Sequence, residues 1–249
     1  MDFGIVSAIK TVFEDRKLDT FDVRKIDLRK EQNTSNELAK LCDLYGSDKA
    51  TTSGKSKFFN WPPHDFGMAY ERILGPKKMD IKSLFECGIG TNNPNLASNM
   101  TVNGRPGASL RVWRDYLPNA IIYGADIDKD ILFNEVRIKT AWIDQTSPSA
   151  IKLCFDSLGR PKFDVIIDDG LHSTDAAITL FETAFSYLSD GGDYFIEDLH
   201  SWEITPLVKH LRVLGHNPII WHLKSKWRRS HNNNTLVQIT KSAKLASSV

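Results

Sequence analysis

Two apolar runs of the sequence each end in a pair of acidic residues, and this arrangement indicates a site for a cation. Asp168 and Asp169 close the first run, and Glu197 and Asp198 close the second. Apolar, β-branched runs of this kind are typical of buried strands in a parallel sheet, whose carboxyl ends form the ligand-binding edge. Because unpaired buried carboxylates are costly to desolvate, we expect these acids to hold a cation.

His172 follows Asp169 by three residues and adds a group that can accept a proton. A hard divalent cation with oxygen ligands can bind a vicinal diol and lower the pKa of one hydroxyl. A nearby histidine can then take up the proton. Carboxylates without a thiolate favour magnesium over zinc. The pattern therefore predicts metal-assisted proton abstraction, and it leaves Asp168 open between a ligand and a cap of the following turn.

A glycine motif ends an earlier apolar run and indicates a second binding function. Gly88 and Gly90 follow Glu86 and would let the backbone turn tightly against a ligand. The dinucleotide fingerprint requires a third glycine where the chain has Asn93, and an acid about twenty residues farther on. The candidate acid, Asp126, comes forty residues after Glu86. This argues against NAD or FAD and favours a cofactor that carries a cation and a ribose, with Asp126 accepting from the ribose hydroxyls.

These motifs need a framework, and from residue 81 onward apolar runs alternate with helical patterns, as in a parallel sheet with crossover helices. Strands are predicted at Ser83–Cys87, Ile121–Ala125, Ile138–Trp142, Val165–Ile167 and Tyr194–Ile196, and helices at Ser109–Tyr116, Ser149–Ser157, Thr174–Leu188 and Thr205–Leu214. Ile219–Leu223 and Leu236–Thr240 have no helix between them. They should form a hairpin, so that one of them runs antiparallel.

The chain is divided into three parts. Residues 1–33 are charged and weakly patterned, and we interpret them as an N-terminal arm that serves docking or homo-oligomerisation. Residues 34–80 are predicted to form a helical cap, with helices at Ser35–Leu44, capped by Thr34 or Ser35 with Glu37 in a capping box, and at Phe66–Leu74. Residues 81–249 form the sheet domain.

Composition narrows the class of protein. A chain of 249 residues, 41% hydrophobic and 25% charged, suits one α/β domain with an appendage. The net charge of +1 gives no reason to expect nucleic acid or a membrane surface as partner, and the one local basic run is Lys224–Arg229. No apolar run approaches the ~20 residues that span a bilayer, and the first residues do not look like a signal peptide. The three cysteines do not suggest a disulfide framework, so a cytoplasmic location is expected.

Several motifs together carry a resemblance to a known family. Glu86-Cys87-Gly88-Ile89-Gly90, the segment Gly104–Trp113 and Tyr123–Ile127 look like class I S-adenosylmethionine-dependent methyltransferases. More narrowly, the acidic motifs at 168–172 and 196–199, with Tyr45-Gly46-Ser47-Asp48-Lys49 upstream, resemble the macrocin and mycinamicin sugar O-methyltransferases. The resemblance covers residues from about 38 to 240.

The resemblance implies a Rossmann-like fold: a seven-stranded, mostly parallel sheet with an antiparallel last strand, helices on both faces and an N-terminal helical extension. It implies S-adenosylmethionine and Mg²⁺ as cofactors. The implied cofactor-binding residues are Glu86, Gly88, Gly90, Asp126, Asp144, Gln145, Tyr45 and Lys49. The implied metal ligands are Asp169, Glu197 and Asp198, and the implied catalytic residues are His172, as general base, and Asp169.

The sequence thus predicts magnesium-assisted O-methylation of a sugar hydroxyl in a glycan, a nucleotide sugar or a glycosylated natural product. Two alternatives stay open: a metal-dependent O-methyltransferase for a small catechol-like diol, and an inactive methyltransferase fold that serves as a binding module. The chain departs from the family pattern at Leu171, in the insertion Thr91–Val102 and at Trp61-Pro62-Pro63. The last two segments are expected to border the acceptor pocket, so the family's acceptors cannot be carried over.

Overall fold

A nine-stranded sheet forms the centre of the molecule in the computed structural model, which describes residues 21–27, 36–159, 162–225 and 234–242. The strands are β1 (Asp22–Asp27), β2 (Ser83–Cys87), β3 (Ile121–Asp126), β4 (Asn134–Glu135), β5 (Ile138–Trp142), β6 (Phe163–Asp168), β7 (Leu188–Ile196), β8 (Ile219–Lys224) and β9 (Thr235–Thr240). Their order across the sheet is β1-β8-β9-β7-β6-β2-β3-β5-β4.

The central strands are parallel, and the predicted hairpin supplies the antiparallel one. β7, β6, β2, β3 and β5 pair parallel in that order, so their carboxyl ends meet at one edge. β9 lies between β7 and β8 and runs antiparallel to both. The mostly parallel mixed sheet of an α/β protein is therefore confirmed, and its parallel edge is where the acidic motifs end.

The prediction of seven strands is wrong, because two edge strands extend the sheet to nine. β1 pairs parallel with β8, and Ile26 on it is buried. The two-residue β4 pairs antiparallel with β5. The charged sequence of β1 gives no local strand signal, since this strand depends on a distant partner. The interpretation of residues 1–33 as a docking or oligomerisation arm falls mostly outside the described residues and stays a prediction.

Helices cover both faces of the sheet, as expected. They are α1 (Glu37–Tyr45), α2 (Phe66–Leu74), α3 (Ala108–Tyr116), α4 (Pro148–Ser157), α5 (Thr174–Ala184) and α6 (Ser201–Val213). The N-cap of α1 is Asn36, whose side chain accepts from the Ala39 N–H. The predicted caps Thr34 and Ser35 lie outside the described residues. α5 is shorter than predicted, because a 3₁₀ turn at Phe185–Tyr187 follows it.

Two apolar clusters hold the layers together, one on each face. On β2, Leu84 belongs to the cluster that includes residues of α1, α2 and α3, whereas its neighbour Phe85 belongs to the cluster that includes residues of α4, α5 and α6. Successive strand residues point to opposite faces, so a strand buried on both faces is mostly apolar, and Glu86 is the one buried charged residue of β2. The three cysteines are free and buried. In the described ranges, no helix is long and apolar enough to cross a bilayer.

Candidate active site

A cavity of about 500 Å³ opens at the carboxyl edge of the sheet and collects most of the predicted site residues. This volume is typical of a pocket for a small molecule. The predicted residues that line it are Lys49, Gly88, Gly90, Asp126, Asp144, Gln145, Asp169, His172, Glu197 and Asp198. Tyr45 and Glu86 are not among its lining residues. The Tyr45 hydroxyl instead donates to Asp115 on α3, and Glu86 is fully buried.

The loop after β2 requires glycine at its first turn. Gly88 has φ +87°, and a Cβ there would collide with the carbonyl oxygen of Asp169. The Gly88 N–H donates to Ala125 at 2.8 Å, and the Asp169 N–H donates to Cys87 at 2.9 Å. The loops that follow β2 and β6 therefore touch backbone to backbone, which brings the glycine motif and the first acidic motif into one site.

Asp126 ends β3 and anchors the glycine loop. One carboxylate oxygen accepts from the Ile89 N–H at 2.9 Å and the other from the Asp128 N–H at 3.0 Å. Burial raises the pKa of Asp126, and these backbone donors oppose the rise. A carboxylate offers about four acceptor positions, so Asp126 can still accept from a ligand in the cavity.

We expect Asp126→Ala to weaken the binding of S-adenosylmethionine by roughly ten- to a hundredfold, as for the loss of a charge-assisted hydrogen bond of ~1.5–3 kcal/mol. Isothermal titration of the purified protein measures this change. The matched control is Asp130→Ala, because exposed Asp130 does not line the cavity. An unchanged affinity in Asp126→Ala would remove the assignment.

Asp168 is hydrogen-bonded within the turn that follows β6. Its Oδ1 accepts from the Gln145 side chain at 2.6 Å and from the Gly170 N–H at 3.3 Å, and it does not line the cavity. Burial raises the pKa of Asp168 to about 7. Gln145 also accepts from the Leu171 N–H at 2.8 Å. Gln145 and Asp168 together fix the turn that carries Asp169 and His172.

Lys49 lies among three carboxylates that come from three strand ends. We call Glu86, Asp169 and Glu197 the carboxylate array. The Lys49 ammonium is 3.0 Å from Glu86 Oε1 and 2.6 Å from Asp169 Oδ2, and it also contacts Glu197 Oε2. The Tyr70 hydroxyl donates to the other oxygen of Glu197. Burial opposes the effect, but Lys49 and His172 together hold the pKa of Asp169 well below its usual range.

His172 lies between Asp169 and Asp198 at the cavity wall. Its Nε2 is 3.2 Å from Asp169 Oδ1, and its Nδ1 is 3.7 Å from Asp198 Oδ2 and 3.3 Å from the Ser98 hydroxyl. Burial lowers the pKa of His172, but the hydrogen bond and the negative charge of Asp169, with Asp198, raise it to about 9. Without an added cation, the imidazole is therefore protonated at neutral pH.

The three predicted metal ligands, Asp169, Glu197 and Asp198, differ in how accessible they are to a metal ion. Within the part of the chain that the structure describes, no three Asp, Glu, His or Cys side chains already surround a common metal position. Asp169 and Asp198 nevertheless present partly exposed carboxylates, 25% and 21% exposed, on either side of His172. Glu197 is fully buried and bonded through both oxygens. The donor chemistry fits a hard divalent cation at Asp169 and Asp198, while Glu197 would have to release a partner to join them.

The sequence did not reveal Tyr70, whose hydroxyl donates to Glu197. Tyr70 is a helix residue packed on Trp113 and Phe195, so its sequence position indicates only core. Trp61 lines the cavity and donates its indole N–H to Asp48 at 2.7 Å. Residues 97–100 of the insertion line the same cavity. Trp61 and residues 97–100 belong to the two segments that the sequence analysis expected at the acceptor pocket, whereas no local motif indicates Tyr70.

Curated proteins of similar sequence are sugar O-methyltransferases. The chain is 32% identical over 164 residues to 8-demethyl-8-alpha-L-rhamnosyl tetracenomycin-C 2'-O-methyltransferase of Streptomyces olivaceus, covering 66% of this chain and 38% of that protein. It is 38% identical over 137 residues to demethylmacrocin O-methyltransferase of Streptomyces fradiae, covering 55% of this chain and 32% of that protein. The chain thus spans about a third of the length of these relatives. No family model matches it.

A solved structure shares the fold. The MycE methyltransferase of the mycinamycin biosynthetic pathway, in complex with Mg and SAH, aligns with a TM-score of 0.59 and 22% identity over 86% of this chain and 56% of MycE. This likeness supports the α/β methyltransferase architecture. The chain is thus similar in sequence to part of these sugar O-methyltransferases and shares its fold with MycE.

Proposed function

We propose that the chain catalyses S-adenosylmethionine-dependent, magnesium-assisted O-methylation of a sugar hydroxyl in a glycan, a nucleotide sugar or a glycosylated natural product. The observation that carries this proposal is the juxtaposition of the glycine loop, Asp169, Asp198 and His172 around one cavity. The named relatives act on sugars of glycosylated compounds, which supports the same acceptor class here.

The cofactor would occupy the side of the cavity formed by the loop after β2 and the end of β3. Gly88 allows close approach to the backbone, and Asp126 is placed to accept from ribose hydroxyls. Asp144 borders the neighbouring wall, where the adenine would lie, and Gln145 stiffens this wall through Asp168. Glu86 would act from beneath the cavity through its ion pair with Lys49.

The acceptor would occupy the opposite side. Trp61, Pro62 and His64 line the cavity, as does Ser98 from the insertion. Mostly apolar walls with a few placed polar groups bury a ligand and fix its orientation. Because Ser98 lies beside His172 Nδ1, a hydroxyl that enters here meets the proposed base. The two segments that depart from the family pattern would therefore determine which acceptor fits.

Proton removal would fall to His172. A neutral imidazole that donates its Nε2–H to Asp169 has an unprotonated Nδ1. This atom lies 3.3 Å from the Ser98 hydroxyl and would accept the proton of the acceptor hydroxyl in its place. When bound, Mg²⁺ would supply a Lewis acid for the vicinal oxygens and offset the charge of Asp169 and Asp198. Asp169 would orient the imidazole, and the cavity would align the reacting groups.

A labelling experiment tests this function. Methyl-labelled S-adenosylmethionine is incubated with the chain, Mg²⁺ and two acceptors: a rhamnosyl glycoside with free hydroxyls and a simple catechol. We expect the label to appear in an ether on the sugar. Labelling of the catechol alone would favour the small-diol alternative, and cofactor binding without transfer to any acceptor would favour the inactive binding module.

A further inference from the structure

Contacts with three other parts of the chain hold the segment from Gly46 to Lys49 and so fix the position of the Lys49 side chain. α1 ends at Gly46, φ +89°, where a Cβ would meet the Phe58 ring at 2.6 Å. Asp48 accepts the Trp61 indole N–H through its side chain and the His64 N–H through its carbonyl, both at 2.7 Å. The Lys49 carbonyl accepts from the Gly67 N–H at 3.3 Å. The backbone on both sides of the Lys49 side chain is therefore fixed.

The Lys49 side chain is directed into the interior, away from solvent. The Lys49 side chain is 4% exposed, and those of Glu86 and Glu197 are fully buried. A buried ammonium is tolerated only when it is well paired, and removing its charge leaves the facing carboxylates uncompensated. Its three carboxylate partners lie at the carboxyl ends of the neighbouring strands β2, β6 and β7. The Lys49 ammonium therefore forms ion pairs with all three strand ends.

We infer that Lys49 is the internal counter-cation of the carboxylate array and that it sets the affinity of the cavity for a divalent cation. This inference rests on the proposed function, from which the divalent cation comes. Asp169 is shared: its Oδ2 contacts Lys49, and its Oδ1 faces His172 on the cavity side. A divalent cation at Asp169 and Asp198 would therefore lie beside a fixed positive charge.

Two consequences follow from this arrangement. Because like charges repel strongly at short range in a partly buried site, the ammonium weakens the binding of a divalent cation. Because Lys49 occupies one oxygen of Glu197, it also limits the number of carboxylates that the ion can use. Lys49 is thus a positioning residue, which acts on the reaction through the carboxylates.

Metal titration of variants tests the inference. Calorimetry with MgCl₂ and with MnCl₂ is performed on the wild-type chain and on Lys49→Met, and thermal unfolding is recorded with and without each metal. We expect Lys49→Met to bind both metals at least about tenfold more tightly. Its metal-free Tm should fall, and the metal should raise its Tm by more than it raises that of the wild type.

Lys77→Met is the matched control. Lys77 lies 2.5 Å from the buried carboxylate of Asp193, and neither residue lines the cavity. The substitution again removes a lysine from a buried carboxylate, so the Tm should fall. The affinity for Mg²⁺ should stay at the wild-type value.

Two further variants keep the inference testable if Lys49→Met does not fold. Lys49→Gln removes the charge but stays polar and should show the same gain in metal affinity, whereas Lys49→Arg keeps the charge and should not.

Equal or weaker metal binding in the uncharged variants would overturn the inference while leaving the proposed function intact. Loss of S-adenosylmethionine affinity alone would assign Lys49 to the cofactor instead. Absence of Mg²⁺ binding in wild type and variants would overturn both the inference and the metal-assisted function.

Discussion

His172→Ala is expected to lower the rate constant of methyl transfer by roughly 10²–10⁴-fold, the usual contribution of a positioned base. The reason is geometric: His172 lies at the cavity wall between Asp169 and Asp198, with Nδ1 near Ser98. The affinity for S-adenosylmethionine should change little, because the side-chain contacts of His172 are with Asp169, Asp198 and Ser98 rather than with Gly88, Gly90 or Asp126. Single-turnover kinetics with saturating cofactor, together with calorimetry, separate the two quantities.

His210→Ala is the control for that variant. His210 on α6 pairs with Glu182 on α5 at 2.8 Å and is partly exposed, and neither residue lines the cavity. Its removal should leave the rate unchanged. A His172→Ala protein that turns over at a near-normal rate would show that His172 is an ordinary residue at the start of α5. Loss of both fold and cofactor binding would show that its role is structural.

Asp169→Asn should lower turnover at least as strongly as His172→Ala. The carboxylate of Asp169 contacts Lys49 on one side and His172 on the other, and it is a predicted metal ligand. The amide removes the negative charge that orients the imidazole and would attract the cation. Steady-state kinetics over a range of Mg²⁺ concentrations should show a lower rate and a higher metal requirement.

Asp175→Asn, in the first turn of α5, is the matched control, because Asp175 does not line the cavity. It should keep wild-type kinetics. If Asp169→Asn had the same metal requirement and rate as the wild type, Asp169 could be neither a ligand nor the partner of the base. The far-ultraviolet circular dichroism of both variants should match the wild type, because the sheet core does not include Asp169.

The strands of the parallel core could be predicted because their signal is local. β2 and β5 have the predicted bounds. β2 is almost entirely buried, whereas β5 buries Ile138 and Ala141 and exposes Lys139. β7 begins earlier than predicted, at Leu188, because pairing with β6 extends it through Ser-Asp-Gly-Gly, a sequence that by itself indicates a turn. β1 is recognisable only from its pairing with β8. Edge strands of this kind depend on tertiary contacts.

The residues of the site divide in the same way, into those that local sequence signals predict and those that only tertiary contacts bring together. The acids at strand ends predicted a common edge, and the cavity there contains Asp126, Asp169, Glu197 and Asp198. The sequence could not show that Lys49 lies among the carboxylates, because its partners come from three separate strand ends. Nor could it distinguish Asp168 from Asp169, since one residue along a strand end decides which side chain faces the cavity. The functional roles of these residues stay predictions.

Methyl transfer under chelation tests the central claim most directly. Turnover of labelled S-adenosylmethionine is measured with the accepted glycoside in Mg²⁺, after excess EDTA, and after Mg²⁺ is added back, with circular dichroism recorded at each stage. Chelation should abolish turnover and Mg²⁺ should restore it, while the secondary structure stays constant because the sheet core does not need a metal to fold. Full activity in excess EDTA would contradict the account of a magnesium-assisted O-methyltransferase.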